Sequence, residues 1–280
     1  MVSVTFNIYQ CLYEGGVGIS ISTNIKVANE KRFVWAMPEV FIGIYPDIGA
    51  SWFLTRFCPS MSVARYIGLT GEKLNAVDAK FSKLVTNIVE SEEQFKKLQV
   101  DIIQKFKAQN PANIVTDLQI FVSQYERDPS KKPQPRIGKL DIYRRVIDYC
   151  FGECHVRNVR DILTNLKYYK EHHPCRCEAD IKFVDGILET LIKRASPTSL
   201  VVTYEALERG KRAETLKEIL EMDSVLMANL VTQHDFLEGV RAVLIDRDNK
   251  PKFSPPTLDE IDIEKTVQRI FTKQKSSLFQ

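Results

Sequence analysis

At 280 residues, with 44% of them hydrophobic, the chain is long enough for one large domain, or for a domain with a helical extension, and can bury a sizeable core. Its 39 lysines and arginines exceed its 36 aspartates and glutamates by three, so charge demands neither nucleic acid nor a membrane surface, while the slight excess suits an anionic ligand. No apolar run approaches the ~20 residues that span a bilayer, six cysteines are too few for a disulfide scaffold and are read as reduced thiols, and the opening MVSVTFNIYQ has neither secretory-signal nor transit-peptide character.

Residues 2–10, β-branched and aromatic with rough alternation, predict a strand, and EGGVG then turns the chain. ISIS, IKVA and RFVWA are short apolar runs between polar turns, consistent with buried strands and a short helix. From about residue 52 the signals become helical: SWFLTRF, then SVARYIGL, closed by Thr70 and Gly71. Ser91 opens a capping-box pattern with Gln94, and Phe95, Leu98, Ile102 and Phe106 recur at helical spacing, so an amphipathic helix is predicted over 92–108, stopped by Asn110 and Pro111. A second apolar run follows at 113–126. The stretch DPSKKPQPRIG, with three prolines and several charges but no interleaved aromatics, reads as an exposed connector near 128–139 rather than a nucleic-acid footprint.

Beyond the connector the chain reads as almost entirely helical. Ser196 with Pro197 gives an N-cap followed by proline in the first turn, and Gly210 is placed to end that helix. Residues 213–233 continue with Leu216, Ile219, Leu220, Met227, Leu230 and Val231 as an apolar face. Cys150, Cys154, His155, His172, His173, Cys175 and Cys177 supply enough soft ligands for a zinc site, but their spacing matches no standard finger and no metal is expected. The division by element type is therefore an α/β part over 1–90 and a helical region over 91–280.

The chemistry concentrates in residues 36–57, AMPEVFIGIYPDIGASWFLTRF, where Glu39 and Asp47 sit among apolar residues. Pro38 and Pro46 fix the backbone ahead of each acid, and Gly43 and Gly49 permit turns or close backbone approach. Acids in such surroundings are desolvated, which suits them to proton transfer or nucleophilic attack near neutral pH. The plainer alternative is a pair of solvated cap residues on two ordinary turns. A Ser-His-Asp arrangement would have to use His234 with Asp235, but no nucleophile-elbow pattern supplies a serine, so His234 and Phe236 are read as packing or capping a helix.

With GGVGIS upstream and HDFLEGVRAVLIDRDNKPKFSPPTL downstream, that stretch resembles the enoyl-CoA hydratase/isomerase (crotonase) superfamily, over nearly the whole chain from about residue 14. Gly18, where hydratases carry a catalytic glutamate, and Asp47, where they usually carry glycine, point to its 3-hydroxyisobutyryl-CoA hydrolase branch. The resemblance implies an α/β fold: part of a spiral of β-β-α units, its N-terminal part missing, followed by a mostly helical C-terminal region. It implies hydrolysis of an acyl-CoA thioester in valine breakdown, with Glu39 attacking or acting as general base and Asp47 as the second acid. Gly15 would supply an oxyanion-hole N–H, with Gly16 and Gly18 leaving room beside the acyl group. Acyl-CoA is then the substrate, no cofactor or metal is needed, and the C-terminal helices offer contacts for a homo-oligomer. A mitochondrial matrix location follows from the pathway, with the cytoplasm as alternative.

The sequence departs from the family in ways that bear on activity. Members carry an earlier segment whose AFCAGGD-like loop supplies the other oxyanion-hole donor and much of the CoA-binding surface. Residues 1–13 contain no substitute, so the hole is expected to be half assembled by this polypeptide, and one such donor is worth ~10²–10³ in rate. Glu14 stands where the first glycine of the family's GGG turn belongs, Gln10 replaces another glycine, and RFVWAMPE is one residue longer than its counterpart. A catalytically silent member kept as a structural or interaction subunit, as in mitochondrial ribosomes, is the alternative. A hydratase is disfavoured, because Gly18 leaves only one of the two glutamates that water addition needs.

Overall fold

The computed structural model describes residues 4–6, 12–13, 20–106, 114–126 and 137–273. The chain gathers into two compact units, each drawn from two separate stretches: 1–36 with 73–142, and 37–72 with 143–280. This grouping by contact cuts across the residue-90 line drawn from element type.

The first unit holds the described strands: β1 (Val4–Phe6), β2 (Leu12–Tyr13), β3 (Ile25–Asn29), β4 (Trp35–Ala36) and β5 (Asn87–Val89). β1, β3 and β5 form a parallel sheet in that order, with Val4 opposite Ile25 and Val27 opposite Asn87, and β2 pairs in parallel with β4. Parallel strands are normally covered on both faces, and β3 shows it: Ile25, Lys26, Val27 and Ala28 are all buried, so burial is continuous along the strand instead of alternating. The Lys26 ammonium meets the cost of burial by donating to the Thr23 carbonyl at 3.1 Å.

The helix predicted over 92–108 spans Glu92–Phe106. Ser91 Oγ accepts from the Gln94 N–H at 3.1 Å, while Gln94 Oε1 accepts from the Glu90 N–H, one residue ahead of the donor an ideal capping box would use. Phe95, Leu98 and Ile102 pack with Ile25, Val27 and Val89, and with Leu118 and Val122 from the helix Ile114–Ser123. Asn110, Pro111 and the connector up to residue 136 lie outside the described residues.

The second unit is built from helices. A 3-10 helix, Glu39–Ile42, leads into α1 (Ala50–Phe57) and α2 (Met61–Thr70), and from the later stretch come α3 (Pro197–Arg212), α4 (Leu216–Leu230) and α5 (His234–Val240). Ser196 caps α3 as predicted, its Oγ accepting from the Ser199 N–H at 3.1 Å, with Pro197 in the first turn. Gly210 does not end that helix, which runs on to Arg212; it lies where α3 crosses α1. Ile44, Tyr45, Val202, Ala206, Leu226, Leu230 and Ile270 form one core cluster. Of the predicted apolar face of α4, Ile219 and Leu230 are buried, whereas Leu216 and Leu220 are 41% and 43% exposed. The buried stripe instead runs through Ile219, Asp223, Leu226 and Leu230, an acid included. Among the described residues no helix is long and apolar enough to cross a membrane.

Candidate active site

Glu39 is the first residue of the 3-10 helix and is wholly buried, so it is not a solvated cap. Its carbonyl oxygen accepts from the Ile44 N–H at 3.3 Å, closing the turn at Gly43, and the Ser196 N–H donates to the Val40 carbonyl at 2.9 Å, tying the segment to the start of α3. α5 lies flat against it. A Cβ on Gly239 would stand 2.4 Å from Ile42 Cα, so only glycine there lets the two backbones approach this closely.

Asp235, on α5, completes that support. Its buried carboxylate accepts from Ser196 Oγ at 2.6 Å and from the Ser254 N–H at 2.7 Å. Burial pushes its pKa up, against the opposing pull of those donors. Ser196 therefore serves three neighbours at once: the α3 N-terminus, the Glu39 segment and Asp235. The Ser-His-Asp arrangement is not formed, because His234 turns to the Lys252 carbonyl at 2.9 Å while Phe236 packs on the core.

Asp47 is half-buried on the turn between the 3-10 helix and α1. Ile48 and Gly49 follow it with φ of 52° and 79°, both left-handed. Asp223, from α4, grips this turn on either side of Asp47: Tyr45 Oη donates to Asp223 Oδ1 at 2.6 Å and the Gly49 N–H donates to Oδ2 at 2.8 Å. Burial raises the Asp223 pKa, opposed by these two donors. The Tyr45 phenol is driven well above its ordinary pKa, by burial first, then by the Asp223 charge and hydrogen bond, with Asp47 and Glu39 adding to it. Tyr45 thus stays protonated at neutral pH, and both candidate acids lie within electrostatic reach of one ring.

The predicted glycines Gly15, Gly16 and Gly18 lie outside the described residues. Among the described residues no group of three or more His, Cys, Asp or Glu side chains is arranged to hold a metal ion. Of the cysteines weighed as zinc ligands, Cys150 is buried, and Cys154, Cys175 and Cys177 are exposed. His155 and His172 are exposed and His173 stacks on Tyr169 at 4.3 Å between ring centres. Tyr45 and Asp223 are supporting residues that the sequence does not single out, and it singles out Ser196 and Asp235 only as a helix cap and as part of a Ser-His-Asp alternative. For Asp223 a signal existed: it falls on the apolar stripe of its own helix, four residues after Ile219 and three before Leu226.

The profile of the enoyl-CoA hydratase/isomerase family matches residues 14–271. The chain belongs to the enoyl-CoA hydratase/isomerase family. Within this family it is similar to the mitochondrial 3-hydroxyisobutyryl-CoA hydrolases of Xenopus laevis, 33% identical over 258 residues, and Homo sapiens, 34% identical over 257 residues. Those alignments cover 92% and 89% of this chain but 60% and 58% of the relatives, so it spans about three-fifths of the length of the curated family members it matches. Among solved structures, a carnitinyl-CoA dehydratase from Mycobacterium thermoresistibile matches with a TM-score of 0.71 at 26% identity, covering 98% of this chain and 68% of that one. An enoyl-CoA hydratase from Rhodobacter sphaeroides matches in fold, with a TM-score of 0.70 at 23% identity over 93% of this chain and 65% of that one. The expected architecture, α/β of the crotonase type with a helical C-terminal region, is the one this family member has.

Proposed function

We propose that this chain is an acyl-CoA thioester hydrolase of the 3-hydroxyisobutyryl-CoA hydrolase type. The observation that carries the reading is the wholly buried Glu39 on a 3-10 helix, followed by the turn that bears Asp47, in a chain about a third identical to proteins of that name. Thioester hydrolysis needs a carboxylate to attack the carbonyl or to activate water, and donors for the oxyanion that results. Glu39 takes the first role. Asp47 takes the second acid's role, orienting the substrate hydroxyl or assisting proton movement. Gly15 supplies an oxyanion N–H, with Gly16 and Gly18 beside the acyl group. The acyl-CoA is the substrate, no cofactor is called for, and the relatives' names support a mitochondrial location, which the pathway places in the matrix. Association of copies through the C-terminal helices belongs to the same proposal.

A catalytically silent, structural role is the second reading, and Glu14 favours it, since a negative charge next to Gly15 opposes the charge that develops on the oxyanion. Thiol release from 3-hydroxyisobutyryl-CoA by the 280-residue chain, run beside Glu39→Ala, separates the two. Free CoA from the parent, falling by about 10²–10⁴-fold in the variant, is the hydrolase outcome. No release from either folded protein is the silent outcome.

A further inference from the structure

Asp47 sits in a turn that its own sequence does not favour. The next residue, Ile48, is β-branched and 40% exposed, yet holds φ at 52°, a conformation that β-branched side chains avoid. Backbone of this kind persists only where surrounding structure over-determines it. The side chain that ties this turn to a distant part of the chain is a carboxylate: Asp223 accepts from Tyr45 Oη with one oxygen and from the Gly49 N–H with the other, across 178 and 174 residues of sequence, while the Ala50 N–H donates to the Asp47 carbonyl within the turn. Its grip falls two residues before Asp47 and two residues after. Gly49 is further covered by Leu216, whose Cδ1 lies 3.1 Å from where a Cβ would stand.

We propose that Asp223 is a positioning residue for Asp47, closing the 45–49 turn from both ends so that the Asp47 carboxylate is held in one direction. The proposal rests on the reading of Asp47 as the second acid of a thioesterase. Asp223 itself is buried in the α4 stripe, with each carboxylate oxygen bonded to the turn, and acts through that turn. In place of two independently placed acids, the candidate site has one acid braced by Asp235 and Ser196, and a second braced by Asp223.

The test uses the 280-residue chain with two independent readouts. In amide hydrogen exchange, Asp223→Ala is expected to speed exchange at Gly49 at least about tenfold, with amides of Leu226–Leu230 unchanged, because only the turn loses its anchor. Unchanged exchange at Gly49 overturns the proposal. In CoA release from 3-hydroxyisobutyryl-CoA, Asp223→Ala is expected to lower kcat about 10²-fold with little change in KM, the usual cost of misplacing a reacting group by about 1 Å. Asp223→Asn, whose amide can accept from the Gly49 N–H and donate to Tyr45 Oη, is expected to retain most of the rate. Adding Ile48→Asn to Asp223→Ala is expected to recover about tenfold, since asparagine tolerates the left-handed conformation that isoleucine resists. In an Asp47→Asn background Asp223→Ala should cost almost nothing more, and a further full 10²-fold loss there overturns the proposal. If the parent releases no CoA, the thioesterase reading fails and Gly49 exchange alone decides the brace. If Asp223→Ala does not fold, Tyr45→Phe, which removes one of the two bonds, is read at Gly49 in the same way.

Discussion

The carbonyl oxygen of Ser51 occupies the place where a Cβ on Gly210 would stand, 2.2 Å away. At this crossing α1 and α3 pack backbone to backbone, and Arg56 Nη1 adds a 2.9 Å bond to the Gly210 carbonyl. Helix propensity alone would have Gly210→Ala stabilise the protein by about 1 kcal/mol, since the residue lies inside α3. The contact reverses the sign. Parting two packed helices costs about 1–3 kcal/mol, so Gly210→Ala is expected to lower the urea midpoint, and a raised midpoint would mean that the crossing yields more easily than its geometry implies.

Gly43 presents the same logic at the candidate site. Its φ is 78°, and an added Cβ would lie 2.2 Å from the Asp235 carbonyl carbon. Gly43→Ala thus meets a left-handed penalty of about 1–2 kcal/mol and an overpacking penalty of about 1–3 kcal/mol. A combined loss of about 2–5 kcal/mol is expected in denaturant unfolding, accompanied by loss of whatever activity depends on Glu39.

The local parts of this architecture could be read directly from sequence. Ser91 with Gln94, Ser196 with Pro197 and the Phe95, Leu98, Ile102 repeat each specify structure through neighbours within one or two turns, and all appear where predicted. Glu39 and Asp47 stand out for a similar reason, as acids between proline and glycine in an apolar stretch. What holds them in place could not be read that way. The Tyr45–Asp223 bond joins residues 178 apart, and nothing near Tyr45 announces its partner. Gly210 misled because a glycine two residues from a helix end looks like a stop, whereas its purpose is the space it leaves for Ser51.

Acidity should move stability in opposite directions at two carboxylates of α5. Arg241, with the Lys252 N–H, holds the Glu238 pKa down to about 2, from an ordinary 4.5. A folded pKa below the unfolded one contributes stability that is complete above pH 4.5 and is lost as pH falls toward 2. The advantage of the parent over Glu238→Gln in urea midpoint should therefore shrink between pH 5 and 2.5, and a constant difference would count against the Arg241 contact. Asp235 runs the other way. Burial raises its folded pKa above 3.8, so its ionisation weighs against folding above that raised value, and stability is regained as pH falls through it. Asp235→Asn should compare least well with the parent at the acid end of the same series.

Ser196 is the point where the Glu39 segment, α3 and α5 meet, and a double-mutant cycle can measure how tightly they are joined. Ser196→Ala removes the cap oxygen that accepts from the Ser199 N–H, worth about 1 kcal/mol, and takes a donor from the buried Asp235 carboxylate, worth about 1–3 kcal/mol more. Asp235→Ala leaves Ser196 Oγ and the Ser254 N–H without their acceptor. If the bond is the main link, the double variant should be less destabilised than the sum of the two singles, by about 1–2 kcal/mol in denaturant unfolding. Additive losses would mean that Ser196 and Asp235 stabilise their own helices separately and that the Glu39 segment is held mainly by the Ser196 N–H on Val40. In that case Ser196→Ala would leave Glu39 in place, and the serine variant would retain any thiol release that the parent shows.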